Sequence, residues 1–164
     1  MRKRIVGLHH GQKAGELGRG WLNLEEIATV EVTSEDPRFP VESAFGSEEG
    51  PGWRAAEKGE QQIRIIFDEP VSLRRIQLRF HEPDCERLQE FVVRWSPAAG
   101  GEPREIVRQQ WNFSPTGSTA EIEDYMVELV AVSALELTIR PNLSRHEAVA
   151  TLASCRLAGR QPSS

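Results

Sequence analysis

Seven polar side chains in three stretches carry most of the chemistry this chain offers: Arg38 within residues 34–40; His81, Asp84 and Arg87 within 81–89; and Asn142, Arg145 and His146 within 140–148. Imidazole, carboxylate, amide and guanidinium groups together supply paired donors and acceptors, which is what the vicinal hydroxyls of a polyol or saccharide demand. An aromatic plate usually lies beneath the C–H face of such a ligand, and Phe39 is the only aromatic residue in the three stretches. The simpler account of the same residues is that loops are polar because they meet water, and it carries the greater weight.

Other chemistries find less material. His81 and Cys85 are four residues apart, but a loop gives them no helical reason to converge; His9, His10 and His146 stand away from them. There is no HExxH, no Cys/His cluster with zinc spacing and no G-x-S-x-G, so neither a metal, a cofactor nor a catalytic residue is expected. Cys85 and Cys155 form no CxxC, and their separation neither favours nor excludes a bridge. A net charge of −5 provides no field for nucleic acid or an anionic membrane. Lys3, Lys13 and Lys58 are the only lysines beside seventeen arginines, a bias that codon usage explains more simply than phosphate binding. After the basic residues 2–4 the apolar run covers only residues 5–8, short of the about 7–15 a secretory signal needs. No stretch approaches the ~18 apolar residues of a membrane span, and the expected compartment is the cytoplasm.

The positioning elements read as β-structure. Residues 1–20 form a glycine-rich arm, residues 21–160 a single domain and 161–164 a tail; Leu22, Leu24 and Ile27 allow one helical turn. Ala28, Val30 and Val32 alternate with polar residues, as do Ile63, Ile65 and Phe67, then Ile76, Leu78 and Phe80 after a turn expected at Asp68, Glu69 and Pro70. Further alternating runs follow at Phe91/Val93/Trp95, Val107/Gln109/Trp111/Phe113, Tyr125/Val127/Leu129, Leu135/Leu137/Ile139 and Thr151/Ala153/Cys155/Leu157. Roughly eight strands separated by turn signals predict an all-β sandwich. Trp53 and Trp95 are expected in the core, as are Trp111 and Phe113 in preference to an exposed platform. Arg64, Arg75, Gln77, Arg79, Arg94, Arg108, Glu128 and Glu136 share the outward parity, where cross-strand pairing with carboxylates is the expected fate. Glu121, Glu123 and Asp124 read as a solvated acidic edge.

Three segments resemble the galactose-binding-like jelly rolls, the superfamily of discoidin, coagulation-factor C domains and many carbohydrate-binding modules. They are Ala44-Phe45 followed by Gly52-Trp53, the strand–turn–strand of residues 61–80, and residues 135–159 with Ile139-Arg140-Pro141 and a closing Ala153-Ser154-Cys155-Arg156-Leu157-Ala158-Gly159. The resemblance implies a jelly-roll β-sandwich of about eight antiparallel strands, with Trp53 as a structural tryptophan in a loop of residues 52–56. It implies a non-catalytic module that binds a saccharide or related polyol through loops at one end, with the seven side chains above as the ligand set. A narrower likeness of residues 53–60 to the amino-terminal domain of the single-strand-break repair scaffold implies the alternative of an intracellular protein partner. Members of the superfamily often hold calcium with an Asp before the tryptophan and a Glu in the last strand. Here those places read Phe45-Gly46-Ser47 and Ser154, so no metal is implied.

Overall fold

The computed structural model describes residues 20–46, 50–144 and 147–161. A single helical turn, α1 (Leu24–Ile27), leads into β1 (Ala28–Val32), and a 3-10 turn at Val41–Ala44 interrupts the long loop that follows. Then come β2 (Trp53–Lys58), β3 (Gln61–His81), β4 (Arg87–Pro97), β5 (Arg104–Phe113), β6 (Ala120–Arg140), β7 (Val149–Leu152) and β8 (Ser154–Arg160). All the pairings are antiparallel.

Two strands of 21 residues, β3 and β6, run through both layers. Their first and last thirds respectively join β1, β4 and β5 in the order β1-β3-β6-β4-β5. The remainder of β3 pairs β6 on one side and β8 on the other. The turn expected at residues 68–70 is therefore a bend inside one strand. Pro70 cannot donate to a ladder, and it falls where pairing with β6 lapses between Ile66 and Val71. A second irregularity beside Arg75 shifts the inward parity from Val71 and Leu73 to Ile76, Leu78 and Phe80. On β6 the matching bend is at Ala131, which takes a φ of 56° while its carbonyl accepts a 2.8 Å bond from the Ala98 N–H. Folded this way, the two layers meet: the rings of Phe80 and Phe91 stack at 5.2 Å.

The expected inward faces form one core. Ile63, Ile65, Phe67, Ile76, Leu78, Phe80, Phe91, Val93, Leu135, Leu137 and Ile139 are all buried. Phe113 is fully buried, whereas Trp95 and Trp111 are half-buried and pack against the core's margin. The last strand departs from its expected form. Ala150 and Leu152 point inward on β7, the strand is interrupted at Ala153, and Cys155 and Leu157 point inward on β8. Residues 53–58 are likewise an edge strand, β2, paired with β7, and not a loop. Two glycines permit these close approaches. A Cβ on Gly52 (φ 78°) would stand 2.5 Å from the Leu152 carbonyl, and one on Gly159 would stand 1.9 Å from that of Ser72. Both cysteines are free, Cys85 exposed and Cys155 buried, with burial pushing the Cys155 thiol up to about 12. No described helix is long and apolar enough to cross a membrane.

Candidate functional site

At one end of the sandwich three loops meet, and Arg87 ties two of them together. Its position extends the inward parity of Phe91 and Val93 to the start of β4, so the side chain enters the protein and is only 2 % exposed. Nε donates to Glu82 at 2.9 Å, Nη1 to Gln89 Oε1 at 2.9 Å and to the Pro141 carbonyl at 2.8 Å, and Nη2 to Thr151 Oγ1 at 3.4 Å. The guanidinium also lies 4.8 Å above the Phe113 ring. Burial pulls its pKa down, and the Glu82 carboxylate opposes that pull. Residues 81–87 are thus held to residues 141–144, which are secured again by the Leu143 N–H on the Leu88 carbonyl.

The third loop is pinned independently. Trp53, 1 % exposed, donates its indole N–H to the Ser34 carbonyl at 3.0 Å, and Ser34 Oγ accepts from the Ala56 N–H at 3.0 Å. Asp36 and Phe39 bond the main chain of Arg54. Arg54 faces Thr151 across the β2/β7 ladder, which brings residues 34–40 alongside the Arg87 hub.

Of the seven side chains, Arg87 is a strut with every nitrogen engaged, so the expectation that it contacts ligand is corrected to a supporting role. His81 and Asp84 are exposed on the same loop, and Asn142 is half-buried with its Oδ1 accepting the Ser144 N–H at 3.0 Å. Arg38 is exposed, folded back on Asp36 at 2.8 Å and on the Phe39 ring at 5.7 Å; this contact holds the Asp36 carboxyl down at about 2. Arg145 and His146 lie outside the described residues. Among the described residues no group of three or more His, Cys, Asp or Glu side chains converges as metal ligands would.

Of the acidic step on β6, Asp124 is exposed as expected and pairs with Arg75, but Glu121 is not solvated. Glu121 is 1 % exposed, takes a 3.4 Å bond from Gln89 Nε2 on the facing layer, and leaves its Oε2 without a partner. Burial, reinforced by Glu123, pushes its pKa up to about 9. The folded protein therefore keeps a proton that the unfolded chain releases above the ordinary glutamate value of 4.5. Stability from this group is fully present below that value and is lost as pH rises toward about 9. Glu121→Gln, which needs no proton, is expected to flatten the decline, its Tm gaining on the parent from pH ~5 to pH ~9. A constant gap across that range would show Glu121 ionised in the fold.

The outward arginines of the larger layer are paired, as their parity implied. Across β1, β3, β6, β4 and β5, one register row reads Glu31, Arg64, Glu136, Arg94, Glu105, alternating in sign along its whole length. A parallel row reads Arg140, Glu90, Gln110 on β6, β4 and β5, with Glu60 closing on Arg140 at 2.8 Å. Glu90, only 8 % exposed at its side chain, accepts from Arg108 at 3.1 Å and Gln110 at 3.2 Å. On the other layer Arg75 forks onto Asp124 and covers Trp21 at 4.9 Å. Sequence parity located these arginines, but it could not show which carboxylates on distant strands neutralise them.

Two bent strands, a β1-β3-β6-β4-β5 layer and a loop end hung on a buried tryptophan define the galactose-binding-like jelly roll. Solved structures that share this fold include family 32 carbohydrate-binding modules. One, from a family 31 glycoside hydrolase of Clostridium perfringens, superposes with a TM-score of 0.63 at 17% identity over 87% of this chain and 97% of its own. The module of Clostridium perfringens NanJ, in complex with galactose, gives 0.64 at 11% identity over 84% and 97%. A third from the same organism, in complex with GalNAc-β-1,3-galactose, gives 0.62 at 13% identity over 85% and 99%. No protein-family model matches the sequence, and no curated protein matches it. The narrower likeness of residues 53–60 to a repair scaffold gains no support from these comparisons; the segment is the paired edge strand β2.

Proposed function

We propose that this chain is a non-catalytic saccharide-binding module that takes its ligand at the loop end. The observation that carries this is the Arg87 hub. It fixes residues 81–87 against 141–144 while leaving His81, Asp84 and Asn142 at the surface, so a polar rim stands on a rigid base. Arg38, Arg145 and His146 complete the proposed ligand set. An imidazole, a carboxylate, an amide and guanidiniums provide the paired donors and acceptors that neighbouring hydroxyls need. The jelly roll's occurrence in modules solved with galactose and GalNAc-β-1,3-galactose supports the same class of ligand.

A glycan array followed by calorimetry tests this. Saturable binding of at least one saccharide is expected, weakened about tenfold or more in a His81→Ala/Arg145→Ala double variant whose Tm matches the parent. No saccharide bound more tightly than about millimolar would overturn the proposal.

A further inference from the structure

The brace at the loop end is continuous with a buried carboxyl group on the facing layer. Arg87 Nη1 donates to Gln89 Oε1 at 2.9 Å, and Gln89 Nε2 donates in turn to Glu121 Oε1 at 3.4 Å. On its other side the guanidinium reaches Glu82 through Nε at 2.9 Å and the Pro141 carbonyl through Nη1 at 2.8 Å. Glu121 is thus joined, through Gln89, to the group that holds residues 81–87 against 141–144. Gln89, Arg87 and Glu121 are all buried, so bulk water does not screen this relay.

The protonation state of Glu121 decides how strongly it pulls. As a neutral acid it is a weak acceptor, in keeping with the long 3.4 Å contact. Bonds from N–H groups to a carboxylate are shorter and stronger. Loss of the Glu121 proton to water therefore draws the Gln89 amide toward β6 and makes Gln89 Oε1 a better acceptor for Arg87. The new anion also competes with Glu82 for the guanidinium. Glu82, 12 % exposed at its side chain, can be hydrated, whereas Glu121 is 1 % exposed and its Oε2 has no partner, so Glu121 has the greater need. Among the described residues β4 presents Arg87, which favours the anion, while Glu123 on β6 itself opposes it together with burial. Tyr125, further along β6, keeps its proton under the influence of burial and both glutamates. Across the ladders β3 presents Phe80 to Glu121 and β5 presents Trp111 to Gln89, and neither of these titrates.

We infer that Glu121 and Gln89 are positioning residues for the loop end. With Glu121 protonated, Arg87 braces residues 81–87 against 141–144; with Glu121 ionised, the guanidinium is drawn through Gln89 toward β6 and the brace slackens. The relay stands on its own hydrogen bonds, and its effect on a ligand rests on the saccharide reading of the loop end.

NMR of the full chain between pH ~6 and pH ~10 tests this. The Arg87 Nε–H resonance is expected to titrate with the same midpoint as the Glu121 carboxyl carbon. Over that step the Leu143 amide, held on the Leu88 carbonyl, should lose about tenfold in hydrogen-exchange protection, while the Ala98 amide, held on the Ala131 carbonyl, keeps its own. Glu121→Gln, which is neutral at every pH, should abolish the step and leave the loops braced throughout. Gln89→Met should uncouple the two ends: Glu121 still titrates, but Arg87 and Leu143 no longer follow. A saccharide found on the glycan array should lose affinity across the same step in the parent and not in Glu121→Gln; if the array yields none, the loop-end reading fails and the resonances alone decide the relay. Flat Arg87 and Leu143 signals while Glu121 titrates, a step that survives Glu121→Gln, equal loss of protection at Ala98, or a Glu121 carboxyl already ionised at pH ~6 would each overturn the inference.

Discussion

Arg87→Met is expected to lower the unfolding free energy by about 3–5 kcal/mol, read as a drop in denaturant midpoint at unchanged m-value. The size follows from what is abandoned. Methionine keeps much of the stem's packing over Phe113, but it leaves the Glu82 carboxylate, 12 % exposed, without its 2.9 Å partner. Gln89 Oε1 and the Pro141 carbonyl lose their donors in the same buried space. Arg87→Lys keeps the charge but supplies one nitrogen in place of three, and is expected to recover only part of the loss. A combined Arg87→Met/Glu82→Gln protein should be more stable than the sum of the single changes, because the second removes the charge the first strands. A loss below about 1 kcal/mol for Arg87→Met would reduce the hub to an ordinary surface ion pair. The saccharide affinity proposed for the loop end should fall even where the chain remains folded, because residues 81–87 and 141–144 lose their common brace.

The contrast between Arg87 and Ile63 shows where sequence is informative. For Ile63, Ile65 and Phe67 an alternating pattern is enough: period two fixes the face, and apolar character fixes which face is buried. The same period, extended back from Phe91, places Arg87 and Gln89 inward, and extended back from Val127 it places Glu121 inward. Their polarity argues for the surface, and the argument is settled by partners that no local pattern reveals. Pro141 and Thr151 are 54 and 64 residues from Arg87, and Gln89 is 32 from Glu121. Pro70 was misleading for the opposite reason. A proline among acidic residues is a sound turn signal, but a strand crossing from one layer to the other also has a place where no ladder bond is needed.

Trp53→Ala is expected to cost about 3–5 kcal/mol, the range for emptying the volume of a large buried aromatic side chain. Trp53→Phe is more instructive. It retains most of the apolar contact but removes the indole N–H that meets the Ser34 carbonyl, and is expected to cost about 1–3 kcal/mol. The effect should also be local. Asp36, Val41 and Arg54 donate backbone N–H bonds within the Trp53-pinned loop, to Arg54 O, the Glu35 carboxylate and Phe39 O respectively. Their amides should lose hydrogen-exchange protection in Trp53→Phe, while that of Leu143, held on the Leu88 carbonyl beside Arg87, should keep its own. The two anchors would then be separable: Arg87 for residues 81–87 and 141–144, Trp53 for residues 34–40 with Arg38. Equal loss of protection at Leu143 and Asp36 would mean that the loop end yields as one unit and that Trp53 acts only through the core. Selective loss at residues 36–54 gives a direct way to ask whether Arg38 takes part in ligand binding, since the Phe variant would release its loop while leaving His81, Asp84 and Asn142 in place.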